Sequence, residues 1–180
     1  MSDALWLDAV QVESGGRIGM TLCPGKVGPG RHHTWQRGLD TDLAQILDWG
    51  AGRIVTLMEA WELNRYAVPD LGKRIVELLG PQGWHHLPIV DGGVPDATGE
   101  ATWNAIAEDL HQHLDAGGQV CIHCLGGLGR TGVIACKLLI ERGVSPKEAL
   151  NQVRSARHGA VETSVQELYV RKLQPRPARL

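Results

Sequence analysis

A cysteine and an arginine six positions apart enclose a glycine-rich segment, and these residue types together suit the binding and attack of a phosphate group. Residues 123–131 read HCLGGLGRT. Glycines allow successive backbone N–H groups to turn toward one anion, and the start of a helix supplies more of them. Cys124 would lie at the mouth of this site, where the positive end of the helix favours its thiolate form. Arg130 presents a planar fork suited to two phosphate oxygens, so the segment predicts attack of a thiolate on a phosphate ester.

The remaining residues of this segment have expected roles of their own. We expect the substrate phosphate to be bound by Leu125, Gly126, Gly127, Leu128, Gly129 and Arg130. His123 precedes the nucleophile at the end of a predicted strand, where it would hydrogen-bond the backbone and hold the loop rather than transfer a proton. Two simpler interpretations stay open: Cys124 as a small buried apolar residue, and Arg130 as half of a surface ion pair.

The elements around the segment are those needed to hold it at the edge of a sheet. An apolar run at 119–122 predicts a buried strand, and residues 131–142 predict a helix. The other predicted strands are 17–22, 53–58 and 84–87, and the other predicted helices are 40–49, 59–65, 69–79, 100–115, one starting at Ser145-Pro146, and 162–173. This alternation predicts a single α/β domain over 1–180, with a mostly parallel central sheet flanked by helices and the cysteine loop beyond the carboxyl end of a central strand.

Three stretches are expected to lie outside this framework. Residues 1–14 should pack on the outside of the domain, residues 25–38 should form a polar loop, and the tail 174–180, with two prolines, should fray. The polar loop carries several cationic or titratable side chains, among them Lys26 and Arg31. Such a cluster is usually a solvated face, and the alternative is that it attracts a phosphorylated protein to the site.

Composition limits the classes of function. A net charge of −2 over 180 residues gives no reason to expect nucleic acid or an anionic membrane as a partner. No apolar run approaches the ~18 residues of a membrane span, and the first ten residues lack the basic start of a signal peptide. Four cysteines then indicate reduced thiols in a cytoplasm. The histidine and cysteine spacings match no common zinc pattern, so we expect neither a metal nor a cofactor.

Three motifs resemble one protein family. Residues 123–131 match the HCxxGxxR signature of the protein tyrosine phosphatase superfamily, and the fuller HCLGGLGRT is similar to its kinase-associated, dual-specificity branch. Residues 88–96, PIVDGGVPD, and residues 62–71, ELNRYAVPDL, also resemble segments of that branch. The resemblance implies a cysteine-phosphatase fold, a phosphocysteine intermediate, no cofactor, and a phosphorylated protein or peptide as substrate.

The resemblance also implies the remaining catalytic groups. The general acid of the superfamily lies on a mobile loop before the cysteine, which indicates Asp91, while Asp96 is the competing candidate and also reads as a helix cap. Thr131 would help the thiolate leave in the second step, and its alternative interpretation is a helix N-cap. Gln166, in a Thr-x-x-Gln pattern, would orient the attacking water, and the alternative is an exposed helix residue.

Other functions compete with the phosphatase interpretation. A rhodanese-type sulfurtransferase also uses a cysteine loop closed by an arginine, but it leaves Asp91 and Thr131 without a role. A non-catalytic phosphate-binding module is a second alternative, although nucleophile, arginine and acid are all present. Cys121 and Cys124 form a CxxC pattern, which could indicate thiol redox chemistry. The two cysteines of such redox pairs lie together at a helix start, whereas Cys121 is predicted in a strand and Cys124 in the loop after it. Leu125 and Leu128 are apolar where phosphoinositide phosphatases of the superfamily usually have lysines, which argues against polyphosphorylated lipids.

Overall fold

The sheet at the centre of the fold places the cysteine loop at its middle strand. The computed structural model describes residues 4–177. Seven strands lie in this range: β1 (Leu7–Gln11), β2 (Arg17–Thr21), β3 (Val27–Pro29), β4 (Thr34–Gln36), β5 (Ala51–Thr56), β6 (Trp84–His86) and β7 (Gln119–His123). Five of them form one sheet in the order β1-β2-β7-β5-β6, while β3 and β4 form a separate hairpin. Only β1 pairs antiparallel within the large sheet, which confirms the prediction of a mostly parallel α/β fold.

Helices cover both faces of the sheet. They span Leu39–Asp48 (α1), Ala60–Arg65 (α2), Leu71–Leu79 (α3), Ala97–Asp115 (α4), Gly129–Glu141 (α5), Pro146–Ala156 (α6) and Ser164–Lys172 (α7), with a short 3-10 turn at Pro81–Gly83. In β7, Val120 and Ile122 face the core under α4–α7, whereas Cys121 faces the core under α1–α3. This alternation is that of a strand buried on both sides. Within residues 4–177, no helix is long and apolar enough to cross a membrane.

Helix α5 is the most enclosed element of the fold. Twelve of its thirteen residues, 129–140, are buried, because it lies between the sheet and helices α6 and α7. It begins two residues earlier than the predicted start at Thr131. The helix therefore starts inside the glycine-rich segment itself, so that its first N–H groups belong to the predicted phosphate site.

Two sequence predictions about peripheral segments were wrong. Residues 7–11 are an edge strand rather than an external stretch, because the turn after Val12 returns the chain antiparallel onto β2. The predicted loop 25–38 contains the β3–β4 hairpin, whose short strands have no apolar alternation to reveal them. The predicted frayed tail extends into residues 178–180, which lie outside the described part, and the Arg176 N–H donates to the Glu141 carbonyl.

Candidate active site

The nucleophile loop begins where three parallel strands end at the same level. Thr21 of β2 and Thr56 of β5 both pair with His123, the last residue of β7. The chain leaves the sheet there and Cys124 follows, 4% exposed. Its Sγ accepts the N–H of Gly127 at 3.2 Å. The sulfur therefore lies at the bottom of the loop, at the carboxyl edge of the central strand.

The carbonyl groups of the loop point outward, because donors outside the loop hold them. Lys26 Nζ donates to the Leu125 carbonyl at 3.0 Å, and the Arg157 guanidinium donates to the Gly126 and Gly127 carbonyls. In a planar trans peptide the next N–H points the opposite way from the carbonyl. Successive N–H groups therefore point into the loop, and the Gly127 N–H that contacts the sulfur is one of them. This arrangement can bind an anion directly above the thiol.

The sharp bend of the loop requires glycine at position 127. Gly127 has φ of +72°, a conformation that costs other residues energy. A Cβ there would also lie 2.2 Å from the Thr21 carbonyl oxygen. Gly126 differs, since a Cβ on it would meet nothing within 4 Å. The loop 124–130 is called the cradle below. Of this glycine pair, only Gly127 is needed for the shape of the cradle.

Arg130 is fully buried and held from behind by a carboxylate. Its Nη1 and Nη2 donate to the two Glu62 carboxylate oxygens at 2.7 and 2.9 Å, and Nη1 also donates to the Ile89 carbonyl at 2.9 Å. Burial acts to lower the pKa of Arg130, but the Glu62 hydrogen bond and nearby negative charges outweigh it and raise that pKa. Nε is buried and has no partner among residues 4–177. The donors available to a phosphate are Nε and the second N–H of Nη2, whose nitrogen lies 3.2 Å from Asp91 Oδ1.

The Arg130–Glu62 pair gives a first prediction. Both side chains are at most 3% exposed, and removing one partner of a buried pair leaves an uncompensated charge. We expect Glu62→Gln to lower the free energy of unfolding by about 3–5 kcal/mol and kcat/KM by at least about tenfold, since the guanidinium loses its alignment. Urea unfolding and aryl phosphate hydrolysis measure both effects.

The matched control for this variant is Glu77→Gln, which breaks an exposed pair with Arg74. Exposed pairs contribute about 0–1 kcal/mol, so Glu77→Gln should change neither quantity appreciably. Equal effects of the two substitutions would contradict the positioning role of Glu62.

His123 is held in one neutral form by a chain of hydrogen bonds. Trp84 Nε1 donates to Thr56 Oγ1 at 2.9 Å, and that hydroxyl lies 2.8 Å from His123 Nε2. His123 Nδ1 lies 3.3 Å from the Cys124 carbonyl. Burial lowers the pKa of His123 to about 4, so the ring is neutral near pH 7. The geometry is that of a group that fixes the backbone at the nucleophile.

The two candidate acids occupy different environments. Asp91 is 71% exposed and faces Arg130 across the mouth of the loop. Asp96 caps α4, where its Oδ1 accepts the Gly99 N–H at 2.8 Å. Asp91 lines the same cleft as Leu125 and Leu128, whereas Asp96 lines a separate depression with Val90 and Val94. The structure thus brings Asp91, and not Asp96, together with the cysteine loop.

Thr131 and Gln166 are both buried beside the loop. Thr131 lies in the first turn of α5 rather than at its cap, and its Oγ1 has no hydrogen-bond partner among residues 4–177. Gln166 is fully buried, so the interpretation as an exposed helix residue was wrong. Its Oε1 accepts the Glu162 and Thr163 N–H groups, and its Nε2 donates to the Gly93 carbonyl at 3.1 Å. Gln166 therefore ties the start of α7 to the loop that carries Asp91.

The cysteine loop forms the floor of a cleft of about 580 Å³. The cleft is lined by Lys26, Pro29, Gly30, Arg31, His32, Trp35, Tyr66, Asp91, Leu125, Gly126, Leu128 and Glu162. The expectation of a solvated face was wrong for Lys26, which is 4% exposed and lies 4.1 Å from the centroid of the Trp35 ring. Burial lowers the pKa of Lys26 to about 8. The group forms part of the cleft wall beside the nucleophile.

Most of this chain matches one protein-family model. The family model described as cyclin-dependent kinase inhibitor 3 matches residues 3–150. The chain belongs to this family. Cyclin-dependent kinase inhibitor 3 of Mus musculus is 30% identical over 177 residues, covering 96% of this chain and 79% of the relative. Protein tyrosine phosphatase type IVA 3 of Mus musculus is 33% identical over 145 residues, covering 81% and 77%.

A solved structure agrees with this assignment. Kinase-associated phosphatase, crystallised with serine in place of its catalytic-site cysteine, superposes with a TM-score of 0.79 at 27% identity and covers 94% of both chains. The homologues and structural neighbours of this cyclin-dependent kinase inhibitor 3 family member are protein tyrosine and dual-specificity phosphatases with a catalytic cysteine. The prediction of a cysteine-dependent phosphatase is confirmed.

Several residues of the site in this family member were missed from sequence. Glu62 was noticed only inside a segment that resembles the family and Lys26 only within the polar loop, while Arg157 and Glu162 were not singled out. Arg157 holds two loop carbonyls and pairs with Asp8 at 2.8 Å. Their roles depend on contacts between distant parts of the chain, so residue type and local spacing gave no signal for them.

Proposed function

We propose that this phosphatase hydrolyses phosphate monoesters on proteins through a phosphocysteine at Cys124. The thiolate attacks phosphorus as the bond to the leaving oxygen breaks, and the inward N–H groups with Arg130 stabilise the charge on the equatorial oxygens. The cradle is the observation that supports the proposal. Its N–H groups point toward the space above the Cys124 thiol, and the Nε of Arg130 has no partner among residues 4–177.

Asp91 supplies the proton that the leaving oxygen needs. Its exposed carboxyl group at the mouth of the cleft, 3.2 Å from Arg130 Nη2, supports this assignment over Asp96. In the second step water attacks phosphorus, Asp91 takes a proton from it, and the S–P bond breaks to release phosphate. The Thr131 hydroxyl, which has no partner among residues 4–177, would donate to the departing thiolate sulfur, and His123 and Gln166 would hold the loops in place.

The substrate we infer is a phosphorylated protein. The relatives are named as a kinase inhibitor and as a kinase-associated phosphatase, and the apolar Leu125 and Leu128 lining the cleft suit one phosphate rather than several. A cytoplasmic location is part of the same proposal. All four cysteines are free, as expected in a compartment where disulfides do not persist. Burial raises the pKa of Cys121 to about 12, which disfavours the redox alternative.

The test is a substrate panel with a trap for the intermediate. Purified protein should release phosphate from phosphotyrosine or phosphothreonine peptides, and acid quenching during turnover should leave phosphate on the tryptic peptide that contains Cys124. Thiosulfate serves as the alternative substrate. Sulfur transfer without phosphate release would favour a rhodanese-type activity, and phosphate binding without turnover would favour a non-catalytic module.

A further inference from the structure

The tip of the β3–β4 hairpin presents two cationic or titratable side chains to the catalytic cleft. Arg31 and His32 line the cleft and are exposed. Neither makes a hydrogen bond or an ion pair with any residue in the range 4–177. His33, next to them, packs against Trp35, with ring centroids 4.2 Å apart and the ring planes tilted by 59°. Arg31 therefore differs from Arg130 and Arg157 around the loop, because its five donors bond no residue in the described part of the chain.

The base of the hairpin is attached to the nucleophile loop, which sets where the tip lies. Lys26 donates to the Leu125 carbonyl at 3.0 Å, and the Val27 N–H donates to the Tyr66 carbonyl at 2.9 Å. On the second strand of the same base, Arg37, whose N–H donates to the Lys26 carbonyl, pairs with buried Asp42 at 2.7 Å. These contacts hold both strands against the site, so the tip is a wall of the cleft.

Arg31 also lines a second depression that adjoins the first. This depression, of about 580 Å³, is bounded by Arg31, Arg154, His158 and Glu162. Arg154 is already engaged, since it pairs with Glu167 at 2.8 Å and donates to two carbonyls. His158 is exposed and, within the described range, unbonded. A chain bound with its phosphate in the cradle can place a neighbouring residue here.

We propose that Arg31, with His32 and His158 beside it, binds an anionic group that flanks the phosphorylated residue of a peptide substrate. The proposal rests on the proposed function. The anion is the carboxylate of an adjacent aspartate or glutamate, or a second phosphate, because a guanidinium binds either one through paired N–H groups. Arg31 thus selects among phosphorylated sequences and takes no part in the bond-breaking steps.

Because Glu162 is acidic and lies near Arg31, the site could in principle prefer either an acidic or a basic flanking residue. Glu162 lines both depressions. Its Oε2 lies close to the cysteine loop, since a Cβ added to Gly129 would be 2.5 Å from it. A basic flanking residue would find its partner at Glu162, whereas an acidic one would find it at Arg31. Asp91, the other acidic residue of the cleft, already faces Arg130. Glu162 likewise makes no side-chain hydrogen bond or ion pair within residues 4–177, but it stands alone, whereas Arg31 has His32 and His158 beside it as further donors. Donors to an anion outnumber this one carboxylate, so the acidic sequence should be preferred.

The experiment compares one phosphotyrosine peptide with alanine, aspartate, lysine or phosphoserine at each of the two positions on either side. We expect kcat/KM for the best aspartate peptide to exceed that of its alanine counterpart by about fivefold at low salt, and the ratio to fall as salt screens the charges. Preference for aspartate identifies a carboxylate, and preference for phosphoserine alone identifies a second phosphate; both support the proposal. Equal rates across the panel, or a preference for lysine, would overturn it.

The decisive variant is Arg31→Glu, which reverses the charge on an exposed side chain. In this variant the ratio of kcat/KM for the aspartate peptide to kcat/KM for the lysine peptide should invert. Lys147→Glu makes the same charge change near the start of α6, and it should retain the wild-type ratio. An unchanged ratio in Arg31→Glu would refute the role of Arg31. If wild-type protein hydrolyses neither a small aryl phosphate nor any peptide, the proposed function itself fails, and this proposal fails with it.

Discussion

Cys124→Ser should abolish phosphatase turnover, with kcat reduced by about 10⁴–10⁶-fold, as for loss of a nucleophile in other covalent enzymes. Serine keeps the shape of the side chain, but among residues 4–177 the only group that hydrogen-bonds this side chain is the Gly127 N–H, a donor that cannot take the proton of a hydroxyl. The cradle above position 124 stays intact, because the outward carbonyls are held by Lys26 and Arg157 rather than by the sulfur. The variant should therefore still bind phosphopeptides, and calorimetry of a phosphopeptide should show an affinity close to the wild-type KM.

The matched control is Cys136→Ser, which makes the same chemical change on α5. Cys136 is fully buried in the core under α4–α7 and is not among the residues that line the cleft. A buried hydroxyl without a partner costs about 1–3 kcal/mol, so this variant should be less stable in urea while keeping kcat. Residual turnover above 1% in Cys124→Ser, or a comparable loss of kcat in Cys136→Ser, would contradict the nucleophile assignment.

The parts of the fold predicted correctly from sequence are those that local patterns determine. The buried strand before Cys124 and the helix after it are signalled by an apolar run and by helical spacing, and both were found within two residues. Ser145 and Pro146 begin α6 as predicted, with the Ser145 hydroxyl accepting the Glu148 N–H. The edge strand 7–11 was missed because its residues are only partly buried and its pairing depends on a turn.

The residues of the cradle could be predicted from the sequence, but the residues that support it could not. Cys124 and Arg130 lie in one short segment, so their residue types and spacing describe an anion site with a nucleophile. Glu62 lies 68 residues before Arg130 and Arg157 lies 30 residues after Gly127. The first pair forms because α2 follows β5, which is the sheet neighbour of β7, and the second because α6 returns the chain beside α5. Buried charges also look like surface charges in a sequence, as the incorrect expectation for Lys26 illustrates.

Asp91→Asn should slow turnover by about 10²–10⁴-fold, the usual contribution of a positioned general acid. The loss should depend on the leaving group, because a poor leaving oxygen needs the proton more. We therefore expect a small effect on an activated aryl phosphate and a large one on a phosphothreonine peptide. Steady-state kinetics on these two substrates measure both effects.

Asp96→Asn is the control that separates the two aspartates. Asparagine is as good an N-cap as aspartate, so the hydrogen bond to the Gly99 N–H can persist and α4 should keep its start. Asp96→Asn should then retain full activity on both substrates. A leaving-group-dependent loss in Asp96→Asn, with full activity in Asp91→Asn, would move the acid to position 96. That result would require the loop 88–96 to rearrange, since Asp96 now faces α4 and Asp91 faces Arg130.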